Sequence, residues 1–292
     1  MGSCFAEYIG GYLAGLQFQQ LINPFGIIYQ PLVMARLIAR LLDAQPVNDP
    51  DLFLNQGIWR HFDFHSRFAS ADKALTLDTL NHRIQQAAAH LRLSNRLILT
   101  WGTAYAYQHT STGQWVNNCH KMPANLFLKQ RTKVEDIISA YTSLLHRLKE
   151  AKPDLQIVLT VSPVRHLRDG ILENQRSKAI LLLAAEYLTD TFDFVHYFPS
   201  YEIIMDELRD YRFYAQDMVH PSDLAVSILR ERFLNACCTT DTLALCNRIA
   251  NLQKNKQHTI LHPDSQESQR FANQWQEEEK RLKELLPHLN WD

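Results

Sequence analysis

Arg96-Leu97-Ile98-Leu99-Thr100-Trp101 and Leu155-Gln156-Ile157-Val158-Leu159-Thr160-Val161 decide the fold. Both are short, continuous apolar runs with β-branched residues, the pattern of strands buried on both faces of a parallel sheet. Each stops abruptly, the first at Gly102-Thr103 and the second at Ser162-Pro163. The flanking segments have a different period. Leu75 to Arg92 and Val134 to Lys149 space apolar residues three and four apart, which predicts amphipathic helices, and Lys152-Pro153 stops the second before a strand begins. A third helix is predicted over Asn174 to Thr189, then a short strand over Phe192 to Tyr197 and a further helical run from Leu224 to Leu234. Helices alternating with parallel-type strands specify an α/β layered sheet.

The chain has 292 residues, 46% hydrophobic and 21% charged, enough to bury a large core and unlike a disordered chain. Its 30 Lys and Arg against 31 Asp and Glu leave a net charge of -1, with no basic patch, so no nucleic-acid partner is expected. Apolar stretches such as Ile157 to Val161 and Ile180 to Ala185 fall far short of the roughly 20 residues of a membrane span. Cys4, Cys119, Cys237, Cys238 and Cys246 form no paired framework, which predicts a reduced compartment. The first residues lack the basic and apolar regions of a signal peptide, so a cytoplasmic location is the expectation.

Residues 43 to 70, with Asn48-Asp49-Pro50 and Trp59 to Ser66, predict an irregular excursion with a small hairpin, and long loops commonly cap a site. From Thr239 the composition turns polar and charged, with a solvated helix over Phe271 to Leu289 around Glu277 to Arg281. The expected organisation is a domain over 1–236 and a helical, charged extension over 237–292, which packs on that domain or on a partner and could join two copies of the chain.

Two places carry chemistry. Ser3, in Gly2-Ser3-Cys4-Phe5-Ala6, stands before an amphipathic pattern through Ile9, Tyr12, Leu13 and Leu16. Free backbone N–H groups and the helix dipole favour negative charge there, which suits a nucleophile that generates an oxyanion beside itself. Serine is also a preferred N-cap, and capping is the commoner role of such a residue. Asp217-Met218-Val219-His220, before the helical run from Leu224, lets a carboxylate fix an imidazole tautomer and leave the other ring nitrogen to take a proton from a hydroxyl. Neighbouring helical residues diverge by about 100°, so Ser3 and Cys4 cannot both face His220. Ser3 is preferred, and Cys4 is read as packed beneath the site. The 13 histidines show no tight ligand spacing, so neither metal nor cofactor is expected. The aromatics Tyr105, Tyr107, Trp115, Tyr211, Phe213 and Tyr214 read as core, with sugar stacking as the alternative.

Several blocks, taken in chain order, resemble one family. They are the opening Gly2 to Ala6, Asn23-Pro24-Phe25-Gly26-Ile27-Ile28-Tyr29, Thr100-Trp101-Gly102-Thr103-Ala104, Asn117-Asn118-Cys119-His120-Lys121, Val161-Ser162-Pro163-Val164, Phe198-Pro199-Ser200-Tyr201-Glu202 and the Asp217–His220 turn. Together they resemble the GSCFA family, a bacterial group within the SGNH (GDSL-like) hydrolase superfamily. The resemblance implies a three-layer, flavodoxin-like parallel sheet with helices on both faces. It also implies a serine esterase that cleaves or transfers a small acyl ester, with carbohydrate esters among the candidates. Ser3 would be the nucleophile, His220 the general base and Asp217 the residue that orients it. Superfamily members bind the oxyanion through the serine amide, a glycine amide and an asparagine side chain. Gly102 and Thr103 match the start of the strand-end Gly-Thr-Asn-Asp block, but Ala104 stands in place of the asparagine. Asn23, Gly26 and Asn118 are the candidates for the vacant donor, and His120 and Lys121 for holding an acidic or carbonyl group of the substrate. The superfamily serine follows a buried strand, yet only Met1 and Gly2 precede Ser3, so that first strand is expected to be missing or trimmed away. The alternative reading is a catalytically inactive module of this fold that binds a glycan or a protein.

Overall fold

The structure, a computed structural model, describes residues 1–257, 265–287, 289 and 291. The other positions of the expected C-terminal extension lie outside the described residues. In chain order the elements are α1 (Cys4–Gly15), α2 (Pro31–Leu42), β1 (Phe53–Asn55), β2 (Ile58–Arg60), α3 (Lys73–Leu93), β3 (Arg96–Trp101), β4 (Tyr105–His109), β5 (Trp115–Val116), β6 (Phe127–Arg131), α4 (Val134–Ala151), β7 (Gln156–Val161), α5 (Ile171–Thr191), β8 (Val195–Tyr197), α6 (Ser200–Glu202), α7 (Asp223–Cys237), α8 (Thr240–Gln257) and α9 (Gln266–Leu285). The architecture is mixed α/β around a parallel sheet ordered β3-β7-β8.

β3 and β7 are the two runs that opened the sequence reading. They pair in parallel from Arg96 opposite Gln156 to Trp101 opposite Val161. β7 is buried from Ile157 onward, as a strand with both faces covered must be. Apolar stripes of α2 (Val33, Leu37, Ile38), α4 (Ile137, Tyr141, Leu144) and α5 (Leu181, Ala185, Leu188) join Leu99, Trp101 and Leu159 in one core. Trp101 Nε1 donates to Tyr141 Oη at 2.9 Å, which pairs the polar atoms of two fully buried aromatics.

The front of the chain extends this sheet. The Met1 amine donates to Ile98 O at 2.6 Å, the Thr100 amide to Met1 O at 3.0 Å and the Ser3 amide to Thr100 O at 3.3 Å. Gly2 forms a parallel bridge with Thr100. The place expected to lack a strand therefore holds a short parallel pairing along β3. Gly2 adopts φ +149° there, and a Cβ would collide with the Thr100 carbonyl, so only glycine fits so close to β3.

Beyond this sheet, β4 pairs antiparallel with both β5 and β6, and β1 with β2 forms the hairpin expected in the 43–70 excursion. The β4 sheet and α2 have no counterpart in the sequence reading. Tyr105-Ala106-Tyr107-Gln108-His109 does alternate, but its aromatics read as a cluster rather than as one strand face. α2 is capped by the Gln30 side chain, which accepts from the Val33 amide at 2.9 Å, and glutamine is not a usual cap.

Two compact units emerge, Met1–Glu7 with Leu21–Ser227, and Tyr8–Gln20 with Ile228–Asp292. The sequence reading set the boundary at 236/237 and kept residues 8–20 in the first domain. In the second unit α8 and α9 bury Ile249, Leu252 and Leu282, and Arg248 pairs with Glu278 at 2.6 Å. Gln253 Nε2 donates to Gly15 O, tying α8 to the end of α1. Among the described residues no helix is long and apolar enough to cross a membrane, and all five cysteines are free.

The first unit also holds an ion pair between a half-buried arginine and a buried carboxylate. Arg36 on α2 grips both carboxylate oxygens of Asp63, Nη1 at 2.8 Å, and Nη2 also reaches Trp115 O at 3.1 Å. Burial works to raise the Asp63 carboxyl, but the hydrogen bonds and charge of Arg36 outweigh it and hold the group below the ordinary carboxylate range. Asp63→Asn leaves the guanidinium, which water can partly solvate, without its counter-charge and is expected to cost about 1–2 kcal/mol near neutral pH, read as a lower urea midpoint at unchanged slope. Because the folded pKa lies below the unfolded value, the carboxylate's contribution is complete above about pH 4 and is lost on acidification. The stability gap between wild type and variant should therefore close as the pH falls below about 4, and a gap that stays constant contradicts this account.

Candidate active site

Ser3 sits where the parallel pairing with β3 gives way to α1. Its Oγ accepts from the Phe5 amide at 3.3 Å and its carbonyl from the Ala6 amide at 2.9 Å, so it caps the helix, and its side chain is fully buried. Cys4 is the more exposed of the two, with Sγ 3.7 Å from Tyr29 Oη. This reverses the expected placement of Cys4 beneath the site: the first turn of α1 directs Ser3 inward and Cys4 toward Tyr29.

Asp217 and His220 meet, as the sequence spacing allowed. His220 Nδ1 lies 2.6 Å from Asp217 Oδ2, while Asp217 Oδ1 accepts the amides of Val219 at 2.9 Å and His220 at 3.0 Å. These bonds hold the Asp217 carboxyl down to about 2, the His220 amide contributing most. The turn is made by Met218 at φ +57° and closed by the Ala215 amide donating to His220 O at 2.8 Å. It is anchored to the loop after β7, where the Arg165 amide donates to Val219 O at 3.1 Å and the Arg165 guanidinium lies over Tyr214. Among the described residues no hydrogen bond joins Ser3 Oγ to the His220 ring.

Three side chains that sequence reasoning missed connect these parts. Tyr29 takes both the Gly102 amide (2.7 Å) and the Thr103 amide (3.1 Å) on its carbonyl, and its ring meets His166 edge-on with centroids 5.4 Å apart. His166 follows Ser162-Pro163 in the loop beyond β7, and its main-chain N–H is held by Asn174 Oδ1 at 2.9 Å. Burial, and after it the charge of Lys178, push the imidazole down to about 4. Lys178 on α5 is fully buried, and its Nζ donates to Gly102 O at 2.7 Å and Ser162 O at 2.6 Å, clasping the residues just past β3 and β7. Desolvation lowers this amine to about 7. The position of His166 after an abrupt strand end was a usable signal; nothing in the spacing around Lys178 marks it.

The sequence-predicted oxyanion donors are mostly occupied. The Gly102 amide is spent on Tyr29 O, and Thr103 turns its hydroxyl to Ser177 Oγ at 3.0 Å. Ala104, the position at which the sequence reading missed an expected asparagine, is wholly buried. Asn23 lies beside the serine loop, accepting the Gly2 amide at 2.8 Å and donating to Glu7 at 3.4 Å, so its amide is committed to holding the front of the chain. The Gly26 amide donates to Asn23 O at 2.8 Å. Asn118, His120 and Lys121 belong to a different cluster. Asn118 Oδ1 accepts the His120 amide at 2.9 Å, and the buried His120 ring lies 2.8 Å from His61 O and 3.2 Å from Ser66 Oγ. Lys121 is exposed at φ +58°. None of their hydrogen bonds reaches Ser3, Gly102, Asp217 or His220.

No curated protein and no solved structure matches this sequence. The sequence does match the GSCFA family over residues 1–233, a span that holds every block from Gly2-Ser3-Cys4 to the Asp217–His220 turn, and the chain belongs to the GSCFA family.

Proposed function

We propose that this protein is a serine esterase of the SGNH type, acting on a small acyl ester, with a three-layer sheet of the flavodoxin kind beneath the site. The observation that carries the reading is the Asp217–His220 pair at 2.6 Å, its carboxylate fixed by two main-chain amides. Such a pair sets the imidazole tautomer and leaves Nε2 free to accept a proton. A second support is the location of Ser3, Gly102 and Ser162 at the carboxyl ends of parallel-paired segments, the edge where α/β sheets bind their ligands.

In the proposed reaction His220 Nε2 takes the Ser3 proton as Oγ bonds to the acyl carbon, and the carbonyl π pair moves to oxygen. Collapse breaks the bond to the leaving alcohol, whose oxygen receives the proton from His220. A water activated by the same imidazole then releases the acid and restores Ser3. In this reading the Cys4 amide, first of α1 and without an intrahelical acceptor, serves the developing charge, while the Ser3 amide would have to leave its 3.3 Å bond to Thr100 O to join it. Substrate binding must open a path to the buried hydroxyl and bring it to His220.

Those last requirements favour a second reading, a non-catalytic module that binds a glycan or a protein at the same edge. Short-chain nitrophenyl esters separate the two. The esterase reading expects turnover by the wild type and its loss in His220→Ala, whereas equal background rates in both support the binding module.

Ser3→Ala is expected to abolish covalent labelling by a fluorophosphonate, and Cys4→Ser to leave it; labelling that survives the first change and vanishes with the second assigns the nucleophile to Cys4. Asp217→Asn should lower kcat by roughly 10³- to 10⁴-fold through loss of the correct tautomer, and a change of less than about tenfold contradicts the role given to Asp217.

A further inference from the structure

The site offers an oxyanion few donors. Gly102 and Asn23 are committed elsewhere, and Ala104 has no side-chain amide, its main-chain N–H being donated to Ser177 Oγ at 2.7 Å. One polar atom is in the opposite condition. His166 Nε2 is shielded from solvent and has no hydrogen-bond partner among the described residues. A buried polar atom left in this state is costly and calls for a group that completes it.

The position of the ring says which group. His166 leaves the carboxyl end of β7, on the sheet edge that carries Ser3. Tyr29 bridges the two, its hydroxyl 3.7 Å from Cys4 Sγ and its ring 5.4 Å from the imidazole. His220 and Lys178 lie close enough for their charges to act on His166, both opposing a further positive charge there, with Asp169 acting the other way and Lys129 with them. The half-buried ring thus holds a shielded, unpaired Nε2 between the neighbours of the proposed nucleophile and those of the proposed base.

We propose that His166 supplies the oxyanion donor that this chain lacks at Ala104: a neutral imidazole whose Nε2–H hydrogen-bonds the carbonyl oxygen of the acyl substrate. This rests on the esterase reading. As Ser3 Oγ bonds to the acyl carbon the carbonyl pair moves onto oxygen, and the Nε2–H bond strengthens with that charge while the proton stays on His166. Collapse returns the pair to the carbonyl. Burial, with Lys178 next, holds the conjugate acid down to about 4, so the ring stays a neutral donor at physiological pH.

The test compares full-length wild type, His166→Phe, His166→Gln and His166→Ala on a short-chain nitrophenyl ester. Thermal melting confirms the fold, and a fluorophosphonate reports on Ser3. Loss of the donor should lower kcat of His166→Phe by about 10²- to 10³-fold with KM changed less than about threefold. The amide of His166→Gln should recover at least about tenfold of that loss, and imidazole in the buffer should restore part of the rate to His166→Ala. Wild-type kcat in His166→Phe, or a loss in all three variants that neither glutamine nor imidazole relieves, overturns the assignment while labelling of wild-type Ser3 leaves the esterase reading standing. A wild type that neither turns over ester nor is labelled at Ser3 overturns both.

Discussion

Three main-chain hydrogen bonds between the first residues and β3 govern where chemistry is available in this molecule. Met1 N to Ile98 O, Thr100 N to Met1 O and Ser3 N to Thr100 O align the front of the chain with β3 and deliver Ser3 to the carboxyl edge of the sheet. Their geometry leaves no freedom at Gly2, whose missing Cβ permits the approach to Thr100. Asn23 holds the Gly2 amide, and the Ile28 amide donates to Gly2 O at 3.0 Å, so the loop over 23–29 is folded against the same three residues. Move this pairing by one residue and Ser3 would exchange faces with its neighbour.

The edge is stiffened from behind. Lys178 donates to the carbonyls of Gly102 and Ser162, and Ser162 N donates to Trp101 O at 2.7 Å, so the ends of β3 and β7 are held by side chain and main chain together. Thr160 and Ser200 pair their hydroxyls at 2.7 Å, and Ser200 Oγ donates to Val161 O at 2.8 Å, which fixes the next layer of the same edge. A lysine buried without a carboxylate at hand is an expensive support, and the fall of its pKa to about 7 is how the interior moderates the cost. Fixed dipoles of this kind need no reorganisation when charge develops nearby, which is what a site of acyl transfer requires.

How far all this was legible in the sequence depended on periodicity. β3, β7, α3, α4 and α5 lie where their apolar patterns put them, because long runs buried on one face or both leave a clear trace. The pairing of residues 1–3 left none, since three residues carry no period. α2 escaped because Gln30 and Pro31 replace a usual cap, and β4 because its alternating aromatics resemble a cluster. Within the candidate site, Asp217 and His220 were readable because an Asp-x-x-His turn is local. Gly102 and Asn23 were named as donors, but their amides are spent on contacts with distant segments, which no local pattern could reveal, and that of Gly26 closes a turn on Asn23 O. Asn118 and His120 are bound to Phe62 and His61, just after the hairpin, for the same reason. Tyr29 and Lys178 stand out only when the strand ends are brought together, whereas His166 had a trace in its place after the abrupt end of β7.

The central claim, that a hydroxyl at residue 3 and an imidazole at residue 220 work on one reacting carbon, is tested most directly by a crystal structure of the fluorophosphonate-treated protein. The account predicts phosphorus bonded to Ser3 Oγ, with His220 Nε2 within hydrogen-bond reach of the adduct and Asp217 still on Nδ1. An adduct on any other side chain, or a Ser3 adduct with the His220 ring turned away from it, contradicts the account.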